Sequence, residues 1–123
     1  MRILLTNDDG YHAPGLQTLY AALSTDQRYA LAISAPERQQ SAKGHSITLF
    51  DPIFVDEYTL EHGAKGFSVR GTPSDSVKLA IQGKLTERPD LLISGINRGF
   101  NLGTDVYYSG TVSAAMEGVF LGI

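Results

Sequence analysis

The chain has 123 residues, enough for one domain with its own core and too few for two. Its 42% hydrophobic and 19% charged residues lie in the range of globular proteins, with no apolar run long enough to cross a membrane. The lack of cysteine excludes disulfides, thiolate nucleophiles and cysteine-ligated zinc, while a net charge of −3 without a basic cluster argues against a nucleic-acid surface and leaves an anionic ligand in need of a bound cation.

From the amino terminus, Ile3-Leu4-Leu5-Thr6 is a short apolar run cut off by Asn7-Asp8-Asp9, too brief for a secretory signal, so a cytoplasmic location is the default. After Pro14, Leu16, Leu19, Tyr20 and Leu23 recur at helical spacing, and the unbroken run Ala30 to Ser34 reads as a strand buried on both faces. Ser46 to Tyr58 is rich in strand formers around the Asp51-Pro52 break, and Phe67 to Arg70 alternates; these predict strands, as an edge or projecting hairpin. Thr72-Pro73-Ser74-Asp75 supplies an N-cap, a proline at the first helical position and an acid three residues past the cap, for a helix continuing through Val77, Ala80, Ile81 and Leu85. Leu91 to Ser94 is a further buried strand, a glycine-rich loop runs from Gly95 to Gly110, and Val112, Ala115, Met116, Val119 and Phe120 form a last helical stripe. Strands alternating with helices predict an α/β fold with a mostly parallel sheet and helices on its faces.

Ligands of such sheets bind outside the carboxyl ends of the strands, and three loops leave those ends here: Asn7–Pro14, Ala35–Ser46 and Gly95–Gly110. In the first, Asp8 and Asp9 repel each other unless a cation neutralises them, although Asp-Asp-Gly is also an ordinary turn sequence. The second holds Ser41 and His45, either of which alone is an ordinary loop or surface residue. In the third, Asn97 and Asn101 offer carbonyl oxygens suited to a hard cation, or simply left-handed turns. Ser109 reads as an N-cap with Gly110 and Thr111 opening the last helix, whose free amides suit phosphate.

The stretches Thr6-Asn7-Asp8-Asp9-Gly10, Ser41-Ala42-Lys43-Gly44-His45-Ser46, Gly71 to Asp75, Ser94 to Gly99, Asn101-Leu102-Gly103 and Tyr108 to Val112 follow one another in an order that resembles the SurE survival-protein family of nucleotidases. The resemblance covers essentially the whole chain. It departs at Glu37-Arg38-Gln39-Gln40, where the family is more basic or serine-containing, so Ser41 is aligned by the Gly44-His45-Ser46 that follows. It implies a Rossmann-like region and a phosphomonoesterase acting on nucleoside 5′- and 3′-monophosphates. It also implies one divalent ion, Mg²⁺ or Mn²⁺, held by Asp8, Asp9, Ser41 and Asn97. That all-oxygen set suits a hard octahedral ion. On this reading Asp8, Asp9, Asn97 and Ser109 take part in catalysis, with Asp9 a candidate base, while Asn101, Gly110, Thr111 and His45 bind substrate.

Two further enzyme or signalling readings compete: a phosphatase forming an aspartyl-phosphate on Asp8, and a phospho-acceptor domain. The first usually spaces its aspartates by one residue, and the second places its acceptor at a later strand end, where this chain has Ser34 and Ser94. A catalytically silent nucleotide-binding or assembly module is the non-enzymatic alternative. The last stripe, Val112 to Ile123, shows no clear C-cap and no strand after it, so residues 1–123 are expected to form a single SurE-like α/β domain that is incomplete at its carboxyl end. Leu121 and Ile123 are then expected to lie exposed beside an open sheet edge, and the longer protein to be a homodimer or tetramer.

Overall fold

A computed structural model describes residues 1–123. The apolar runs become strands β1 (Arg2–Thr6), β2 (Ala30–Pro36), β3 (Val55–Thr59), β4 (Lys65–Val69) and β5 (Leu91–Ser94), with helices α1 (Pro14–Ser24), α2 (Pro73–Ile81) and α3 (Gly110–Phe120). They form one sheet in the order β3-β4-β2-β1-β5. The β1–β2, β1–β5 and β2–β4 pairings are parallel and only β3–β4 is antiparallel, which makes this a mostly parallel, Rossmann-like α/β sheet. Ile3, Leu5, Ile33 and Ala35 pack on Leu16 and Tyr20 of α1. Because strand residues alternate in direction, Ser34 faces the other side and donates to the Ser76 carbonyl of α2 at 2.8 Å. There α2 lies beside α3. No helix is long and apolar enough to cross a membrane.

Two local expectations need correction, and one alternative is decided. The β-rich segment before Val55 contains no strand; Phe50 is 94% exposed. Its polar groups go instead to the start of α2: Thr72 Oγ1 donates to Ser46 O at 2.7 Å, and Thr48 N and Oγ1 donate to the Asp75 carboxylate at 3.0 and 2.7 Å. Of the two placements expected for the hairpin, the edge is the one found: β3–β4 forms the edge of the main sheet rather than projecting, since Phe67 and Val69 belong to the core. Helix α2 begins as expected, with Thr72 and Asp75 in a reciprocal capping box, but stops at Ile81 short of Leu85. Lys84 is left-handed, φ 56°, and turns the chain away.

The end of α3 is also capped, contrary to expectation. Gly122 takes φ 77°, its amide donates to Val119 O at 3.0 Å, and Ile123 N donates to Gly118 O at 3.0 Å, a Schellman pattern. Arg88 adds a guanidinium hydrogen bond to the Leu121 carbonyl at 2.8 Å. Leu121 and Ile123 are half-buried; the large exposed apolar residues of α3 are Met116, Val119 and Phe120. β5 is an edge strand of the sheet.

Candidate functional site

At the carboxyl end of β1 the buried Asn7 folds the chain back on itself: its Nδ2 donates to Gly10 O at 2.9 Å and its Oδ1 accepts from Gly10 N at 3.2 Å. That turn fixes the backbone from which Asp8 and Asp9 project. Asp8 is 4% exposed. Its Oδ1 accepts from the Thr111 hydroxyl, and a Cβ placed on Gly110 would stand 2.6 Å from Asp8 Cβ. The first turn of α3 is thus in contact with a buried carboxylate, as the helix dipole favours. Ser109 caps the helix by accepting from Val112 N at 3.2 Å, which leaves its own hydroxyl proton available, and the Gly110 and Thr111 amides have no protein acceptor.

Asp9 joins the third loop, accepting from Arg98 N at 2.7 Å. Asn97 donates its amide to Gly99 O at 3.2 Å, so its carbonyl oxygen remains an acceptor. The loop approaches α1 so closely that a Cβ on Gly15 would lie 2.1 Å from Ile96 O. Asp9, Asn97, Arg98, Gly15 and Gln39 line a cleft of about 360 Å³. The second loop reaches the same place, with Gln40 N donating to Asp8 O at 2.8 Å and Gln39 Nε2 donating to the exposed Ser41 hydroxyl at 2.9 Å. Gly110 and Thr111 therefore stand against Asp8, Asn97 and Arg98 line a cleft with Asp9, Ser109 caps the same helix, and Ser41 lies on a loop joined to Asp8.

Of the predicted substrate residues, His45 stands apart from the carboxylates. His45 Nε2 lies 2.8 Å from Glu117 Oε2, six residues along α3 from Thr111, or about 9 Å at the helical rise. Asn101 is half-buried without a side-chain hydrogen bond, ahead of a 3₁₀ segment at Gly103–Tyr108. Asn7, Gly15 and Glu117 were not singled out by the sequence. An Asn three residues before a glycine is a local signal for the Asn7 turn, whereas the other two depend on contacts distant in sequence. A larger cavity, about 540 Å³, lies at the opposite, amino end of the strands beside Arg2, Ala30 and Lys65, away from the carboxylates.

The ion pairs of the chain involve neither Asp8 nor Asp9. A buried carboxylate beside a second one, its only hydrogen-bond donor a hydroxyl at the start of a helix, fits a cation. No three His, Cys, Asp or Glu side chains group so as to hold a metal, so an ion here would draw its remaining ligands from hydroxyl and amide oxygens. Asn97 and Ser41 have such oxygens to give, and the donor set fits a hard divalent ion.

The chain matches known proteins over its whole length. The family model described as survival protein SurE matches residues 3–123. The chain is 63% identical over 123 residues to a 5′-nucleotidase SurE of Desulfitobacterium hafniense, covering 100% of this chain and 48% of that protein. A 5′-nucleotidase SurE of Carboxydothermus hydrogenoformans is 52% identical over 124 residues, covering 100% and 47%. The crystal structure of the Sure protein from Aquifex aeolicus superimposes with a TM-score of 0.79 at 44% identity, covering 100% of this chain and 48% of that one. The chain spans about half the length of the curated relatives it matches.

Proposed function

Because the chain belongs to the SurE survival-protein family, we propose that its three loops form the metal and phosphate part of a site that hydrolyses nucleoside 5′- and 3′-monophosphates to nucleoside and phosphate. The observation that carries this reading is the buried Asp8 carboxylate, without a cationic side chain, in contact with the amino end of α3. Asp8, Asp9, Asn97 and Ser41 would hold one Mg²⁺ or Mn²⁺. When bound, that ion supplies a Lewis acid for the phosphoryl group and makes a coordinated water more acidic.

The chain's own residues do the rest. The unpaired Gly110 and Thr111 amides and the Ser109 hydroxyl would donate to equatorial phosphoryl oxygens as charge builds on them. Asn101 has its amide free for the same anion. The Asp9 oxygen not engaged by Arg98 N is the acceptor for a water proton. Thr111 fixes the Asp8 carboxylate, so Asp8 holds the ion rather than attacking phosphorus. Burial of Asp8 likewise disfavours an aspartyl-phosphate.

The test is turnover of AMP and GMP with Mn²⁺, with EDTA, and in Asp8→Asn and Asn97→Ala. We expect EDTA to abolish hydrolysis, Mn²⁺ or Mg²⁺ to restore it, and both variants to weaken Mn²⁺ binding in calorimetry. Full activity in EDTA, or parental Mn²⁺ affinity in both variants, refutes the reading. Assembly into a homodimer or tetramer belongs to the same reading, and light scattering reads it.

A further inference from the structure

His45 lies off the carboxylate cluster, and its contacts suggest a different task from touching substrate. The Glu117 side chain to which its Nε2 is bonded is only 8% exposed, while that of His45 is 27% exposed. The imidazole stacks on Phe120, centroids 5.5 Å apart and planes within 7°. Glu117 turns its other oxygen toward Lys78 of α2 at 3.8 Å. A carboxylate that deep requires partners, and α3 obtains them from α2 and from the Ser41 loop.

Ser41 stands on that loop between two anchorages. On one side Gln40 N donates to Asp8 O at 2.8 Å; on the other Gly44 N donates to Tyr108 O at 3.1 Å, and His45 follows at once. The residues between, Ser41 to Lys43, are exposed, and Ala42 is left-handed at φ 59°. Their placement is therefore set from the two ends. α3 serves both ends of the arrangement: its first turn holds Asp8 through Thr111, and Glu117 further along holds the loop through His45.

We propose that His45 and Glu117 are positioning residues whose contact sets where Ser41 stands relative to Asp8 and Asp9, and hence how tightly the ion is held. The inference rests on the metal site proposed above. Groups that orient metal ligands from behind are commonly worth 10–100-fold in affinity. His45 acts through a loop, so the lower end of that range applies.

The experiment is Mn²⁺ calorimetry on the intact chain. His45→Phe retains a ring for Phe120 but deletes Nε2, and we expect affinity about tenfold weaker. His45→Gln, which keeps a donor for Glu117, should recover most of it. In a Ser41→Ala background His45→Phe should add no further loss, since both changes then act on one ligand. Lys78→Met, which touches Glu117 but not the loop, should leave affinity unchanged. Should His45→Phe fail to fold, His45→Ala reads the same contact. Parental affinity in the His45 variant, or an equal loss whether or not Ser41 is present, overturns the proposal. Asp8→Asn and Asn97→Ala are measured alongside: a normal loss there with an unaffected His45 variant removes only the positioning role, whereas parental binding in both removes the metal reading and this proposal together.

Discussion

Gly110 shows how little space one residue has at this site. An added Cβ would stand 2.6 Å from Asp8 Cβ and 2.9 Å from Asp8 Oδ2, well inside van der Waals contact. Alanine is the better helix former by up to about 1 kcal/mol. Overpacking between two fixed groups costs about 1–3 kcal/mol. The clash should win, so Gly110→Ala is expected to lower the melting temperature and to weaken Mn²⁺ binding by displacing Asp8. Scanning calorimetry and a Mn²⁺ titration check it, and parental values in both would contradict the contact. The same scale shows what a sequence can and cannot reveal. Asp8 and Asp9 were legible because a charged pair directly after a buried strand is out of place unless it has a use, and Ser109 because caps have local chemistry. Gly15 was not, since its need for no side chain comes from Ile96, 81 residues on. His45 pairs with a residue 72 positions away, so nothing near it in sequence could separate substrate contact from loop anchorage.

Elements were legible where their signals were local and failed where tertiary partners overrode them. The capping box of α2 was visible as Thr72-Pro73-Ser74-Asp75, but not that Asp75 also serves Thr48 and so draws the preceding β-rich segment away from the sheet. At the sheet edge, the Tyr58 ring of β3 lies where a Gly66 side chain of β4 would be, 2.3 Å from the Cβ position to Cζ. Its hydroxyl is buried without a partner, and burial, aided by Tyr11, pushes its pKa above the usual tyrosine value. The sign follows from proton counts: above about pH 10 the unfolded chain releases this proton while the folded chain keeps it, so stability falls as pH rises from there toward the folded value and is unaffected below. Tyr58→Phe should abolish that part of the alkaline loss. At neutral pH it should cost no more than about 1 kcal/mol, because no hydrogen bond is broken. Urea midpoints at neutral pH and near pH 10.5 read both effects. An equal alkaline loss in the variant would show that Tyr58 is not the group responsible.

For the molecule as a whole, alternation of strands and helices was enough to predict a parallel sheet and the edge at which its loops would meet. The sheet order needed the structure, because the hairpin β3–β4 joins beside β2 and leaves β1 and β5 to place the first and third loops side by side. Those loops are connected by few direct bonds: Arg98 N to Asp9, Gln40 N to Asp8 O, Tyr11 N to Pro36 O, Gly44 N to Tyr108 O, and Thr111 at the start of α3 to Asp8. Without a cation, two neighbouring carboxylates oppose this convergence, and these few hydrogen bonds favour it. An ion that engages all three loops should therefore stabilise the entire fold, since the unfolded chain has no preformed site to compete for it. By linkage, free Mn²⁺ at 100 times its dissociation constant contributes about 2.7 kcal/mol. For a domain of this size about 3–5 °C accompanies each kcal/mol, so we expect the melting temperature to rise by roughly 10 °C with Mn²⁺ and to return with EDTA. Asp8→Asn should lose the increment while melting in EDTA no lower than the parent, because it also removes one of the two repelling charges. Thermal scans of both proteins with Mn²⁺ and with EDTA give the four numbers needed. Equal melting temperatures for the parent in the two buffers would mean that no ion joins these loops.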